Sequence, residues 1–281
     1  MYNKHESFLK GPNIMKDIYS APFALGMINA ERRMDSKGWC ERNSGNISCL
    51  VAEEEAREYI DTSKIIRTIP IGFDASPLAE RLLIVTASGS YFSNHSFDDL
   101  GIIRISADGK TAEVIWGFEG GKRFTSELPA HLMSHIERLK VYPENRVITH
   151  CHPTNLMAMS FLHELDEKAF TRTLWGMCTE GIMVFPDGVG ILPWMVCGTE
   201  DIGRATAEKM KQYRIVVWAM HGIYAAGRTL NEAVGLIDTV EKAAQIYMLT
   251  SSLPHKNCIS DENLISLADH IGVSYRKDFL G

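Results

Sequence analysis

The chain has 281 residues, a formal charge of −6, 45 % apolar residues and 23 % charged residues. That balance suits a soluble globular protein with a large core, built as one large domain or two tightly joined ones. It offers no run near the roughly 18 apolar residues of a membrane span, no basic stripe for nucleic acid and, in the opening "MYNKHESFLKGPN", no apolar signal-peptide core.

Taken in order, "DIYSAPFALGMINAERRMDSKGW" predicts a helix or helix pair, entered at a polar cap and closed by Gly38. "NSGNISCLV" turns into a short strand, and "EEEAREYIDTSK" is a charged, exposed stretch. "RLLIVTASG" reads as a strand ending in small and polar residues. "GIIRISADGKTAEVIWGF" reads as a hairpin about the Asp108-Gly109 turn, with alternating apolar positions on either side. Thr125 or Ser126 is placed to cap the helix "ELPAHLMSHIERLK", where Pro129 is tolerated in the first turn and Leu128, Leu132, Ile136 and Leu139 form the buried stripe.

"RVITHCH" follows as a strand and "PTNLMAMSFLHEL" as a helix. "GIMVFP" and "RIVVWAMHG" read as two more strands, with "TEDIGRATAEKMKQY" helical between them. "TLNEAVGLIDTVEKAAQIYMLTSSL" is a long amphipathic helix, and "SDENLISLADHIG" a short last one. Strands alternating with helices, interrupted by a hairpin, point to α/β/α layers around a mixed sheet.

The six cysteines, Cys40, Cys49, Cys151, Cys178, Cys197 and Cys258, form no CxxC pair. They read as reduced cytoplasmic thiols, against a zinc ribbon or redox dithiol. Cys151 stands between two histidines, but alternation along a strand turns it away from both. It reads as a buried structural thiol.

His150 and His152, two apart at a strand end, face one side and suit a metal clamp. His221, at the end of another strand and before Gly222, is the candidate third ligand. Three histidines would leave a coordination position open for substrate. Glu127, His131 and His135 lie four apart on one helix face and are a rival metal set. His5, His95, His163, His255 and His270 read as bystanders. The turns "RNSGNIS", "TASG" and "FTSE" can present amides and hydroxyls to an anion such as phosphate, the third at a helix N-terminus.

The segments "SGNIS", "TSELPAHLMSH", "HCHPTNLMA", "TEGIMVFPDGVGILPWMVCGT" and "HGIYAAG" resemble the class II aldolase/adducin superfamily in its longer form. "PDGVGILPWMVCGT" sets that form apart from shorter fuculose-phosphate aldolases and epimerases. The resemblance implies a single domain over 1–281, a three-layer α/β/α sandwich around a mixed, largely antiparallel sheet. It also implies a homotetramer with sites near subunit interfaces.

By the same resemblance, His150, His152 and His221 hold one Zn2+ per subunit, and Glu127 is the catalytic carboxylate. Asn43, Asn46, Ser88, Gly89, Thr125 and Ser126 contact a phosphate, and Glu180 supplies a proton across an interface. The implied reaction cleaves a phosphorylated ketose, L-rhamnulose 1-phosphate, to dihydroxyacetone phosphate and L-lactaldehyde through a zinc-stabilised enediolate. The alternatives are a fuculose-phosphate aldolase, an epimerase, a dehydratase or an adducin-like scaffold. This chain departs from the family's usual "TGSG" in having Ala87 in "TASG", and Val51 to Ser76 matches least.

Overall fold

The computed structural model describes residues 15–254 and 257–281. The opening segment, His5 and His255 lie outside the described residues. Asp17 caps a 3-10 turn over Ile18–Ser20 by accepting from the Tyr19 amide, and the chain enters α1 (Pro22–Ser36). Gly38, at φ 72°, turns it out again.

Strand β1 (Asn46–Val51), helix α2 (Glu53–Arg57), β2 (Arg67–Pro70) and β3 (Leu82–Thr86) follow. Then come the hairpin of β4 (Leu100–Ile105) and β5 (Thr111–Gly117), helix α3 (Leu128–Val141), β6 (Val147–Cys151) and α4 (Thr154–Leu162). The second half holds α5 (Glu167–Met177), α6 (Glu180–Val184), β7 (Gly190–Leu192), α7 (Glu200–Met210), β8 (Ile215–Trp218) and β9 (Gly222–Gly227). It closes with α8 (Leu230–Thr250) and α9 (Asp261–Ile271). No helix among the described residues is long and apolar enough to cross a membrane.

All nine strands of the described residues join one sheet, in the order β2-β5-β4-β3-β1-β6-β9-β8-β7. Every pairing is antiparallel except β7 with β8. The period of two sorts each strand's side chains between two layers. On one face Ile47, Ile84, Cys151, Val217 and Ala225 pack with residues of α1, α4, α5 and α8, among them Met34, Leu156, Leu174 and Val240. On the other, Leu50, Leu83, Val85 and Ile103 meet Leu128, Leu132 and Ile136 of α3, while Ile148, Val216 and Tyr224 meet Ile202 and Met210 of α7. This is the α/β/α sandwich around a mostly antiparallel sheet.

Some local readings need correction. "GIMVFP" is helical, not extended: Ile182 and Phe185 are both buried, and the Phe185 amide donates to the Gly181 carbonyl. A short apolar run carries no decisive period. A Cβ on Gly181 would lie 3.0 Å from the Trp175 Cα, so the glycine lets this turn of helix rest on α5. The strand at that edge is β7, reached after Gly188 turns the chain at φ 78°. Helix α3 starts later than its proposed caps. Glu127 is its N-cap residue, and Thr125 Oγ1 accepts from the Glu127 amide rather than from the helix. Leu128, Leu132 and Ile136 are buried as the stripe requires, with Leu139 half-buried.

Candidate active site

The site is assembled from the sheet outward. Register pairs Asn46 of β1 with His150 of β6, and His150 with Tyr224 of β9. These three therefore form a row across neighbouring strands, on the face covered by α3. His152 lies one residue beyond β6, where its amide donates to the Trp39 carbonyl.

His221 sits at the tip of the β8–β9 hairpin, between Met220 at φ 61° and Gly222. A Cβ on Gly222 would stand 2.5 Å from the Cys151 carbonyl oxygen, 2.8 Å from His152 Cδ2 and 3.1 Å from His150 Cε1. Only glycine lets the hairpin press this closely against the tip of β6.

The rings are oriented by their outer nitrogens. His150 Nδ1–H donates to the Ile223 carbonyl at 3.0 Å, and His152 Nδ1 is paired with the Glu41 carboxylate at 2.7 Å. Both partners are acceptors, so in each neutral ring the hydrogen sits on Nδ1 and Nε2 offers a lone pair. The two Nε2 atoms nonetheless face each other at 3.2 Å. Two lone pairs aimed at one point repel unless a cation lies between them.

The ligand atoms of His150, His152 and His221 all lie within 4.8 Å of one another. Burial, then the neighbouring His152 and His221, push the His150 pKa well below its ordinary value, and burial also lowers His221. Neutral imidazole is the metal-binding form. Outer nitrogens tied to a carbonyl and a carboxylate are the support such ligands ordinarily have. The donor set therefore fits a borderline divalent ion such as zinc.

Glu127 is buried at the head of α3, beside this cluster. Its Oε2 accepts from Asn46 Nδ2 at 2.9 Å and from the Tyr224 hydroxyl at 2.8 Å, and lies 3.5 Å from His150 Nε2. Its Oε1 is 4.0 Å from His221 Nε2. Burial, then the Glu127 charge, push the Tyr224 phenol well above its ordinary pKa, which keeps it a donor. His131 and His135 turn instead toward Ser48, and among the described residues they belong to no group able to hold a cation.

The three small-residue turns are sewn together. Ala87 bridges Phe124, the Ser88 amide donates to the Arg123 carbonyl, and the Thr125 amide donates to that of Thr86. Thr86 Oγ1 accepts in turn from the Ile47 amide. Asn43, Ser88, Gly89 and Ser126 are exposed on this rim, whereas Thr125 and Asn46 are buried. Glu180 is different: it is the exposed first residue of α6 and lies outside the group formed by Glu127 and the histidines.

Three residues at the site had no signal of their own. Cys197, with Glu127 and His221, makes a second group of closely spaced ligand atoms, and it carries no spacing motif. Tyr224 and Ser48 enter only through strand register. Cys151 is buried on the opposite face, and burial pushes its thiol well above the ordinary range, as its place between the histidines predicts.

A mixed, mostly antiparallel sheet thus brings three imidazoles to a carboxylate and a rim of turns. The chain belongs to the Class II Aldolase and Adducin family, whose N-terminal domain matches residues 26–248. It is 52 % identical over 269 residues to the rhamnulose-1-phosphate aldolase of Listeria innocua, covering 94 % of this chain and 98 % of that one. With the rhamnulose-1-phosphate aldolase of Escherichia coli O81 the identity is 44 % over 266 residues, with 92 % and 97 % covered. Among solved structures, the sugar-phosphate aldolase from Thermotoga maritima matches with a TM-score of 0.73 at 28 % identity, covering 83 % of this chain and 97 % of that one. An L-fuculose 1-phosphate aldolase shares the fold at a TM-score of 0.61 and 19 % identity, with 93 % and 100 % covered.

Proposed function

We propose that this protein is a zinc-dependent lyase that cleaves L-rhamnulose 1-phosphate to dihydroxyacetone phosphate and L-lactaldehyde. The observation that carries the reading is the facing pair of Nε2 lone pairs on His150 and His152, with His221 closing the triangle. The relatives named rhamnulose-1-phosphate aldolase, matched over nearly their whole length, support the substrate. His150, His152 and His221 hold the Zn2+, which when bound supplies Lewis acidity toward the ketose carbonyl.

The chain's own residues do the rest. Glu127 holds at Oε1 the proton that passes to or from carbon in the three-carbon fragment, because Oε2 is already occupied by two donors. The phosphate is bound on the rim by Asn43, Ser88, Gly89, Thr125 and Ser126, with the second amide hydrogen of Asn46. Binding there is remote from the breaking bond, so its energy goes into orienting the sugar.

Glu180 serves the aldehyde end from a neighbouring subunit of a homotetramer. Its exposure, and its absence from the ligand-atom groups of its own chain, support that assignment. So do exposed apolar side chains that ask for cover, with Phe161 67 % and Trp194 62 % accessible. One domain spans 1–281 in this reading, supported by the single sheet that joins the nine strands of the described residues.

The test is cleavage of rhamnulose and fuculose 1-phosphates by purified protein, before and after chelation, with triose phosphate and aldehyde both measured. Preferred cleavage of the first, lost on chelation and restored by Zn2+, is the expected result. Equal activity in verified metal-free protein would overturn it.

A further inference from the structure

His131 and His135 are fully buried and unused by the metal cluster, yet an unbranched line of polar contacts joins them to Glu127. Glu127 Oε2 meets Asn46 Nδ2 at 2.9 Å, and Asn46 Oδ1 is hydrogen-bonded to His131 Nε2. His131 Nδ1 lies 2.7 Å from Ser48 Oγ, which lies 2.9 Å from His135 Nε2.

Counting hydrogens gives this line a direction. A carboxylate only accepts, so Asn46 turns its amide nitrogen to Glu127 and its carbonyl to His131. That carbonyl only accepts, so His131 bears a hydrogen on Nε2. His131 is buried without a carboxylate against it, and an unpaired buried charge is costly. The ring is therefore neutral, and its Nδ1 accepts from the Ser48 hydroxyl. The Ser48 oxygen accepts in turn from His135 Nε2–H.

The line ends at His135 Nδ1, a buried nitrogen with no hydrogen-bond partner. In this arrangement it is a bare lone pair. The opposite direction would leave an unpaired N–H there and would also require a doubly protonated His131. Burial first, then the nearby His135, hold His131 down to about 3; burial, then Arg81, do the same for His135. Both shifts agree with neutral rings.

We propose that Ser48, His131 and His135 are positioning residues for the reaction. They lock the Asn46 amide in the one orientation that donates to Glu127 Oε2, and so leave Oε1 as the oxygen that carries the proton. The lock is held from two layers, since Ser48 belongs to β1 and both histidines to α3. None of the three is exposed to touch substrate. The inference rests on the reading of Glu127 as the proton-carrying group.

Two measurements on the metal-loaded protein test it. Neutron diffraction of the wild type should place deuterium on Nε2 of both histidines and direct the Ser48 hydroxyl at His131. Deuterium on His131 Nδ1 overturns the proposal. In kinetics, Ser48→Ala removes the hydrogen that fixes the His131 tautomer. Since a 1 Å misplacement costs about 100-fold, kcat should fall roughly 10- to 100-fold while KM moves less than about threefold.

His131→Gln carries an amide N–H where Nε2–H stood, and should keep kcat within about fivefold of wild type, whereas His131→Leu should fall as far as Ser48→Ala. Wild-type kcat in Ser48→Ala, or a loss carried by KM alone, overturns the proposal. A wild type that cleaves no phosphoketose overturns the functional reading instead, and the neutron map then decides the direction of the line by itself.

Discussion

Gly222→Ala should loosen metal binding without adding or removing a ligand. The new methyl carbon would lie 2.5 Å from the Cys151 carbonyl oxygen, which is fixed backbone at the end of β6. Carbon–oxygen contacts settle at about 3.3–3.6 Å, so relief needs roughly 0.8 Å of movement. The edges of His150 and His152, at 3.1 and 2.8 Å, block the other directions. The hairpin tip must therefore give, and it carries His221. Overpacking of this kind costs about 1–3 kcal/mol.

For a chain of this size each kcal/mol corresponds to about 2–4 °C, so the chelated variant should melt roughly 2–12 °C below the chelated wild type. Displacing one of three ligands by that distance should weaken Zn2+ about 10- to 100-fold, as loss of a ligand's supporting contacts does. Competition with a chromogenic chelator reads the affinity, and calorimetry of the apo proteins reads the melt. Gly235→Ala is the control. Nothing lies within 4 Å of its added Cβ, and it sits inside α8, where alanine is favoured over glycine by about 1 kcal/mol. Unchanged Zn2+ affinity in Gly222→Ala would refute the claim that this glycine exists to admit the hairpin.

Glu127→Ala should lower kcat by about 100- to 10,000-fold while the purified variant keeps its full complement of zinc by elemental analysis; near-native turnover would remove Glu127 from the chemistry. Burial holds His131 and His135 at about 3 against an ordinary 6.5, so between those values the unfolded chain binds protons that the folded chain refuses. Their contribution is whole above pH 6.5 and declines as pH falls, by about 1.4 kcal/mol per unit for each, or roughly 2 kcal/mol each from pH 7 to pH 5. Urea unfolding at the two pH values should show a shallower dependence in His131→Gln, and an identical slope would contradict it. With a colorimetric thiol reagent at pH 8, the exposed Cys197 and Cys258 should react fast in native protein. Burial pushes the Cys40, Cys49 and Cys151 thiols up, so these should wait for unfolding. Rapid modification of Cys151 would contradict its reading as a buried structural thiol.

The parts of this molecule legible in the chain are those whose signal is local. The H-x-H spacing at a strand end points both rings one way wherever the strand goes, and a histidine before a close-approach glycine marks the third member of the cluster. The α8 pattern is long enough to be unambiguous. Where a run is short, local signal fails. "GIMVFP" looked extended because so few residues sample neither period. The strand β2, four residues at the sheet edge and ending in Pro70, gives almost no alternation. Strand β9 hides in "GIYAAG" because small residues favour neither element. Helix α5 was within reach: Asp166 caps it by accepting from the Ala169 amide, and Phe170 and Leu174 share its buried side. The choice between the two candidate metal sets could not be made from spacing, since it turns on Ser48, which strand register alone brings beneath α3.

That choice also explains the shape of the core. The face of the sheet toward α1 and α8 carries one continuous apolar cluster. The face toward α3 and α7 carries two, one around β3 and β4 and one around β8 and β9. Between them, Asn46 and Ser48 of β1 and His150 of β6 meet Glu127, His131 and His135 of α3 and its N-cap, all buried and all polar. A seam of that kind gives up the burial that apolar side chains would supply there, and each member must be hydrogen-bonded to avoid a further penalty. The sandwich tolerates it because its opposite face is unbroken. The candidate site is therefore a line of core positions given over to directed hydrogen bonds, ending where the half-buried His152 and His221 meet the small-residue turns.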